Sequence, residues 1–458
     1  MEARRLLSVY TVTNTSGDST APGSLPWAAL QADYTTPGLD YIVFKIPGAG
    51  PFTIDVNAPL FFNDQVVVDA TTQSGYNGAP RITVRGNANV SSVFTMTPGS
   101  TGSVIQGFAV SNFTANAITV LPGSDAVYIQ NNWLGFYKDA SNQVHLNSAL
   151  FPNTAAVGLQ SNYTVIRGNT ISGTYNGVIL LNGNEAADGA GAVYKGNAIQ
   201  YNYIGTDPTG VTSSGYGNTH SGVFLGAGAQ STYVRPGNLI SGNALIGVEM
   251  LTKTSMSNVV FGNLIGTNAA GTSAIPNGVG LLIAQGAQGN VVGGPWGGNV
   301  ISGNPRAGVA LGNPDYPNAT GNYVHGNIIG LNAAQSAVIP GQDVGISMQA
   351  GVSYTSVQYN AIAGSTTNGI VLANSTSNYI ANNFIGESGY GTAFPNGAFG
   401  VAFLAGANYN WLSGNAYGPN TYGRAYVDKS AVGNYVPDLI VAAAATTRTA
   451  KQSSVVKS

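Results

Sequence analysis

The sequence predicts an all-β chain wound into a parallel solenoid, and three observations carry that reading. An asparagine recurs at Asn132, Asn169, Asn202, Asn238, Asn263, Asn299, Asn327, Asn360, Asn383 and Asn415, and two residues after it stands an apolar residue, Ile in eight of the ten units. A column that uniform is a packing column, in which each coil's side chain stacks on the next. A glycine then opens short apolar segments such as "GVILL", "GVFL", "GVALG" and "GIVLA". These are strand-like, bounded by Gly and Asn, and none keeps a helical period. Finally, the distance from asparagine to glycine alternates between 8–9 and 17–26 residues. Long and short coils therefore alternate. The surplus, carried by phrases such as "NLIGTNAAGTSAIPNGVGLLI" (263–283), should project from one side of every second coil. A β-propeller needs four strands per ~40–45 residues, and these units are too short for it.

The chain divides in order. Residues 1–8, "MEARRLLS", read as a leader remnant. "MEARRLLSVY" lacks the apolar core of a signal peptide, so the chain reads as a mature or trimmed form. Residues 9–98 hold the N-terminal cap and first coils. Within them Ser24 suits an N-cap and Pro26 the first turn, which predicts a short helix near 24–32. Residues 99–436 are the repeats, about ten to thirteen coils with the coils before them. Residues 437–458 form a C-terminal cap or flexible tail. It starts with the aliphatic run in "VPDLIVAAAA" (436–445), far short of the ~20 residues that span a bilayer.

Charged residues make up 7% of the chain, against roughly 25% in ordinary soluble domains. With 63 glycines and a net charge of −2, the surface is neutral-polar, which gives no electrostatic case for nucleic acid or anionic lipid. The absence of cysteine removes disulfides and thiolate chemistry. His145, His220 and His325 are widely separated and lack flanking acids, so no metal and no cofactor is expected.

The repeat phrases "NVISGN" (299–304) and "NLIGT" (263–267), with "YTVTNTSGDSTAPGSLPWAALQA" (10–32), "DYIVFKIPG" (40–48) and "VVVDATTQSGYNGAPRITVRGN" (66–87), resemble the right-handed parallel β-helix, pectate-lyase-like superfamily, in its bacterial exported form. The resemblance covers roughly residues 9–435. Pro26 and Trp27 stand where such proteins usually carry Arg-Gln. "MEARRLLS" also resembles the end of a leader found in large exported bacterial proteins. The resemblance implies a right-handed helix and a secreted or cell-surface location. It leaves activity open, because the superfamily holds lyases, hydrolases, epimerases, adhesins and inert scaffolds.

Polysaccharide lyases and hydrolases need grouped carboxylates with a cation beside them. One region is dense enough, 185–253, with Glu185, Asp188 and His220 and the weak catalytic candidates Lys195, Asp207, Arg235, Glu249 and Lys253. Arg167, Lys195 and Arg235 precede successive anchor asparagines. The alternative is solvated turns around "NGNEAADGAGA" (182–192). The anchors Asn169, Asn202, Asn238, Asn263, Asn299, Asn327, Asn360 and Asn383 are expected to bond from coil to coil as a structural ladder. The next residue in each unit gives a candidate interaction stripe of Trp133, Tyr203, Leu239, Leu264, Ile328 and Phe384. It faces outward if the strand alternates strictly, and is buried if the strand bends at the asparagine. The expected function is an extracellular, non-catalytic scaffold: a cell-surface, matrix, adhesive or fibre-forming protein. Its partners would be further copies of itself or extracellular glycan. The alternative is a polysaccharide lyase or hydrolase, or a glycan-binding module, for which the 24 tyrosines supply stacking surfaces.

Overall fold

The structure, a computed structural model, describes residues 8–34, 38–147, 155–181 and 191–437. The chain is a right-handed parallel β-helix with three long sheets. Each coil contributes one strand in turn to sheet I (14 strands), sheet II (15 strands) and sheet III (13 strands). Nearly every pairing is parallel and joins a strand to its counterpart one coil on, as Val291–Gly293 to Tyr323–His325 in sheet I and Leu264–Ile265 to Val300–Ile301 in sheet II. One helix, Leu25–Tyr34, closes the N-terminal end. The Ser24 hydroxyl accepts from the Trp27 amide at 3.1 Å, the expected N-cap. Leu25, Ala28, Ala29 and Ala32 are buried against the first coil. Residues 1–7 of the leader remnant and residues 438–458 of the tail lie outside the described residues.

The apolar column after each anchor forms the centre of the core. Leu134, Ile171, Ile204, Ile240, Ile265, Ile301, Ile329, Ile362 and Ile385 are fully buried, and successive members stand in register. The glycine column faces this stack. A Cβ on Gly280 would lie 2.5 Å from the Gly308 carbonyl oxygen and 2.6 Å from Ile301 Cγ2. The glycine is required there by space, since its φ is ordinary.

Asparagines hold all three corners. At the turn from sheet I to sheet II, ten anchors from Asn132 to Asn415 bond in series, each Nδ2 donating to the next Oδ1 at 2.8–3.1 Å. A second series runs through the turn from sheet III to sheet I: Asn258 to Asn290 to Asn322, then Asn378 to Asn410 to Asn434. A third runs through the turn from sheet II to sheet III: Asn218, Asn243, Asn277, Asn304, then Asn396 and Asn420. Members of each series also donate to carbonyls of the preceding coil, as Asn299 does to Val260. These bonds satisfy backbone groups that the turns would otherwise bury unpaired.

The third series breaks at Gln342, which occupies the position of Asn277 one long coil on. Both side-chain polar atoms of Gln342 are buried without a partner. Its extra methylene carries the amide past the positions its neighbours use. Gln342→Asn is therefore expected to stabilise the protein by about 1 kcal/mol, the net worth of a recovered hydrogen bond. Denaturant melts check this; a less stable variant contradicts it.

Candidate functional site

The long coils explain the repeated phrase. In each, the residues after the sheet II strand form a hairpin at the turn toward sheet III. Antiparallel pairs close them: Phe136–Lys138 with Val144–Leu146, Thr267 with Ala274, Leu331 with Val338, and Glu387 with Ala393. One polar side chain heads each tight loop. Asp207 accepts from the Val211 and Thr212 amides, Asn268 from Thr272 and Ser273, and Asn332 from Ser336 and Ala337. Asp139 and Ser388 do the same in the first and last hairpins. The hairpins then stack: the Ala269 amide donates to the Gly210 carbonyl at 2.9 Å and Ala333 to Gly271 at 3.0 Å.

This ridge roofs the outer side of sheet II, where the column Trp133, Tyr203, Leu239, Leu264, Ile328 and Phe384 lies. Leu239 is buried and the other five are half-buried. A Cβ on Gly210 would stand 2.7 Å from Leu239 Cδ2. The side chains face outward into the hairpins of their own protein. The strands do not need to bend to bury them.

The five charged candidates stand at different phases of the coil. Lys195 and Lys253 lie in the turn between sheets III and I, two coils apart, and both are exposed. Arg235 lies in the turn between sheets I and II, over the Tyr233 ring at 5.4 Å. Asp207 heads a hairpin between sheets II and III. Glu249 belongs to the sheet III strand Ile246–Leu251 and is 2% exposed. Three corners and one face separate them, so no three share a groove. The register also corrects the alignment of cations. Gln200, rather than Lys195, pairs with Arg167, because Lys195 belongs to the preceding turn. Glu185 and Asp188 lie outside the described residues.

Asp207 shows how a structural residue resembles a catalytic one. Its burial raises the carboxyl pKa, but hydrogen bonds from Thr209, Thr212 and Val211 outweigh that and hold it below its ordinary value. Asn268 and Asn332 head equivalent loops without a charge. Asp207→Asn is expected to change stability by less than about 0.5 kcal/mol; a loss above about 2 kcal/mol in thermal melts contradicts the loop-head role.

Glu249 has the more unusual surroundings. The Ser221 hydroxyl donates to Glu249 Oε2. His220 Nδ1 lies 2.9 Å from Ser221 Oγ and 3.6 Å from Glu249 Oε2. The His220 ring stacks on Tyr175 with centroids 4.7 Å apart, and burial pushes its pKa below the ordinary value. The serine sits between imidazole and carboxylate, the reverse of a nucleophilic triad, in which the histidine is central. Around the group lie Phe224, Ile246, Leu251 and Leu282, a buried apolar cluster on the outer side of sheet III. A shallow cleft lined by Asn116, Thr119, Gln160, Ile179 and Leu181 opens on the same sheet, toward the N-terminal end. Among the described residues no three His, Asp or Glu gather in a way that would hold a metal ion, and no helix is long and apolar enough to cross a membrane.

No family model matches the chain, and no curated protein is similar to it in sequence. Among solved structures it is similar to the A-module of the Azotobacter vinelandii mannuronan C-5 epimerase AlgE4, at 12% identity over 92% of this chain and 99% of that one, with a TM-score of 0.47. It is also similar to tailspike protein 3 of bacteriophage CBA120, at 10% identity over 96% and 62% of the two chains and a TM-score of 0.44. The periplasmic alginate epimerase AlgG is similar at 14% identity over 87% and 78%, with a TM-score of 0.33. At these identities and TM-scores the likenesses assign no residue and no activity.

Proposed function

We propose that the protein is an extracellular, non-catalytic scaffold: a rigid rod of the cell surface or matrix that presents side chains along its length. The observation that supports this best is the use of its polar residues. Asparagines that recur through the sequence run in three series along the corners, and the loop-heading Asp207 has neutral counterparts in the next coils. An elongated body with a continuous core and few charges suits close contact with neutral polymers or with copies of itself, because little repulsion opposes either.

A second reading, a polysaccharide-active enzyme, draws on Glu249, Ser221 and His220 beside the sheet III cleft. A screen of neutral and anionic polysaccharides for new reducing ends or unsaturated products separates the two. The scaffold reading expects no products. Cleavage that disappears in Glu249→Gln would establish the enzyme instead.

A further inference from the structure

The surface aromatic residues are not spread around the solenoid. Of the exposed Phe, Tyr and Trp side chains among the described residues, all but Phe61, Tyr390 and Tyr422 lie on sheet I or in the turns that border it. The concentration is densest in the last coils. Tyr323, Tyr379 and Trp411 occupy one outward column of sheet I, in register through Ser356. Tyr435 continues the column, pairing with Trp411. Ring centroids are 6.4 Å apart from Tyr379 to Trp411 and 4.1 Å from Trp411 to Tyr435.

Tyrosines also flank the column on both sides in an unfavourable conformation. Tyr354 and Tyr409 stand in the turn before sheet I and Tyr359 in the turn after it, with φ of 51°, 55° and 54°. Most other coils place Gly, Asn or Ser at these positions, as at Gly321, Ser377 and Asn382, while Ala126, Tyr163 and Tyr201 take them in the earlier coils with φ of 55°, 58° and 56°. Left-handed backbone costs an L-residue free energy, and Asn offsets part of that by bonding locally, which a tyrosine ring cannot do. Tyr354 and Tyr409 nevertheless remain 71% and 65% exposed. The turn does not require a tyrosine, since most coils fill it with a smaller residue. The Tyr409 ring packs over Gly433 of the next coil, as Tyr163 does over Gly196, and still leaves most of its surface exposed. Strained exposed residues cluster where a surface has a task.

The chemistry of the patch names its ligand. The strands of sheet I from Tyr323 to Ser413, together with their bordering turns 350–355, 374–378 and 405–410, carry no Asp, Glu, Lys or Arg; the opposite charges Asp428 and Lys429 stand in the turn that leads to Tyr435. Between the rings stand amide, imidazole and hydroxyl groups: Gln358, Asn382, His325 and Ser413. Flat rings that meet the C–H faces of pyranoses, with neutral donors and acceptors for hydroxyls, recognise an uncharged sugar chain. With Ser356 leaving one position without a ring, the positions of the column repeat along the solenoid axis at the strand spacing of about 4.8 Å per coil. That is close to the advance of one pyranose in an extended chain. We propose that this face of sheet I binds an uncharged polysaccharide laid along the solenoid axis, with its sugars stacked on Tyr323, Tyr379, Trp411 and Tyr435. This deepens the scaffold reading by naming what the rod holds.

The test is affinity electrophoresis of the full chain in gels containing hydroxyethyl cellulose, laminarin or galactomannan, with polygalacturonate as the anionic control. Retardation by at least one neutral polymer is expected. Tyr379→Ala/Trp411→Ala should weaken it by roughly tenfold or more, the scale of removing aromatic anchors from an interface. Trp411→Phe should retain most of it, and Tyr390→Ala, on a hairpin elsewhere, should leave it unchanged. Melts of each variant confirm that the fold is intact. Retardation by none of the neutral polymers overturns the proposal. So does binding that survives the double substitution, or a double substitution whose only effect is to dissociate copies of the chain from one another. Product analysis of the same mixtures keeps the two readings apart: cleavage overturns the scaffold and leaves the binding face standing.

Discussion

Ile301→Ala is expected to destabilise the protein by about 2–5 kcal/mol, the usual range for emptying a packed aliphatic site. Ile301 is fully buried and lies between Ile265 and Ile329 in the sheet II stack. Its Cγ2 also meets Gly280 from the facing wall, at a distance that leaves no room for a Cβ. Backbone on both sides is fixed by ladders to neighbouring coils, so the walls cannot collapse into the cavity. The loss should therefore fall toward the upper part of the range. Ile265→Ala should behave alike, because a solenoid repeats its environment. Denaturant midpoints at unchanged slope measure this, and a loss under about 1 kcal/mol means that the column is not the core.

Asn299→Ala is expected to cost about 1–3 kcal/mol or more, through groups left buried and unpaired. The Asn299 Oδ1 accepts from both the backbone amide and the Nδ2 of Asn263, at 3.1 Å each. Its own Nδ2 donates to the Val260 carbonyl and to Asn327 Oδ1, at 2.9 Å each. Alanine removes four bonds and orphans partners on both neighbouring coils, none of which water reaches. Asn299→Asp should be worse near neutral pH, because the second oxygen would face two acceptors. A melt of Asn299→Ala that matches wild type would show that the series is geometry without energy.

Much of this architecture is legible in the sequence because a solenoid writes each constraint many times. The asparagine anchor and the apolar residue two positions on keep one fixed spacing in every unit, so a single alignment finds them. The other two corner series are also present, but their spacing hides them. Asn258, Asn322, Asn378 and Asn410 each stand five residues before an anchor, with four residues between. In one coil, Asn290 to Asn299, that interval is stretched by "GGPWGG". Asn243 and Asn277 precede the column glycine by four and three residues, which blurs the third series. In the sequence the glycine only opens each apolar segment, whereas the structure shows a contact with the next coil's carbonyl that only three-dimensional stacking reveals.

The charged candidates illustrate a different limit. Lys195, Asp207, Arg235, Glu249 and Lys253 are close in sequence, but a coil turns through three sheets in some thirty residues. Proximity along the chain then means separation around the perimeter. Ser221 and His220 meet Glu249 from the adjacent coil, 28 residues away for the serine. The outward stripe on sheet II was visible as a pattern, yet its burial depends on hairpins folding back over it. The aromatic face is hidden in the sequence in a similar way. Its tyrosines occupy three different positions in the repeat, which only the coil brings to one side.

The most direct measurement is deuterium uptake of the full chain with and without a neutral polysaccharide that retards it. The account predicts added protection confined to sheet I and its turns between Tyr323 and Tyr435, with sheets II and III unchanged. Protection centred instead on His220, Ser221 and Glu249 and the cleft of sheet III would contradict it, and would place the ligand where the second reading puts its chemistry.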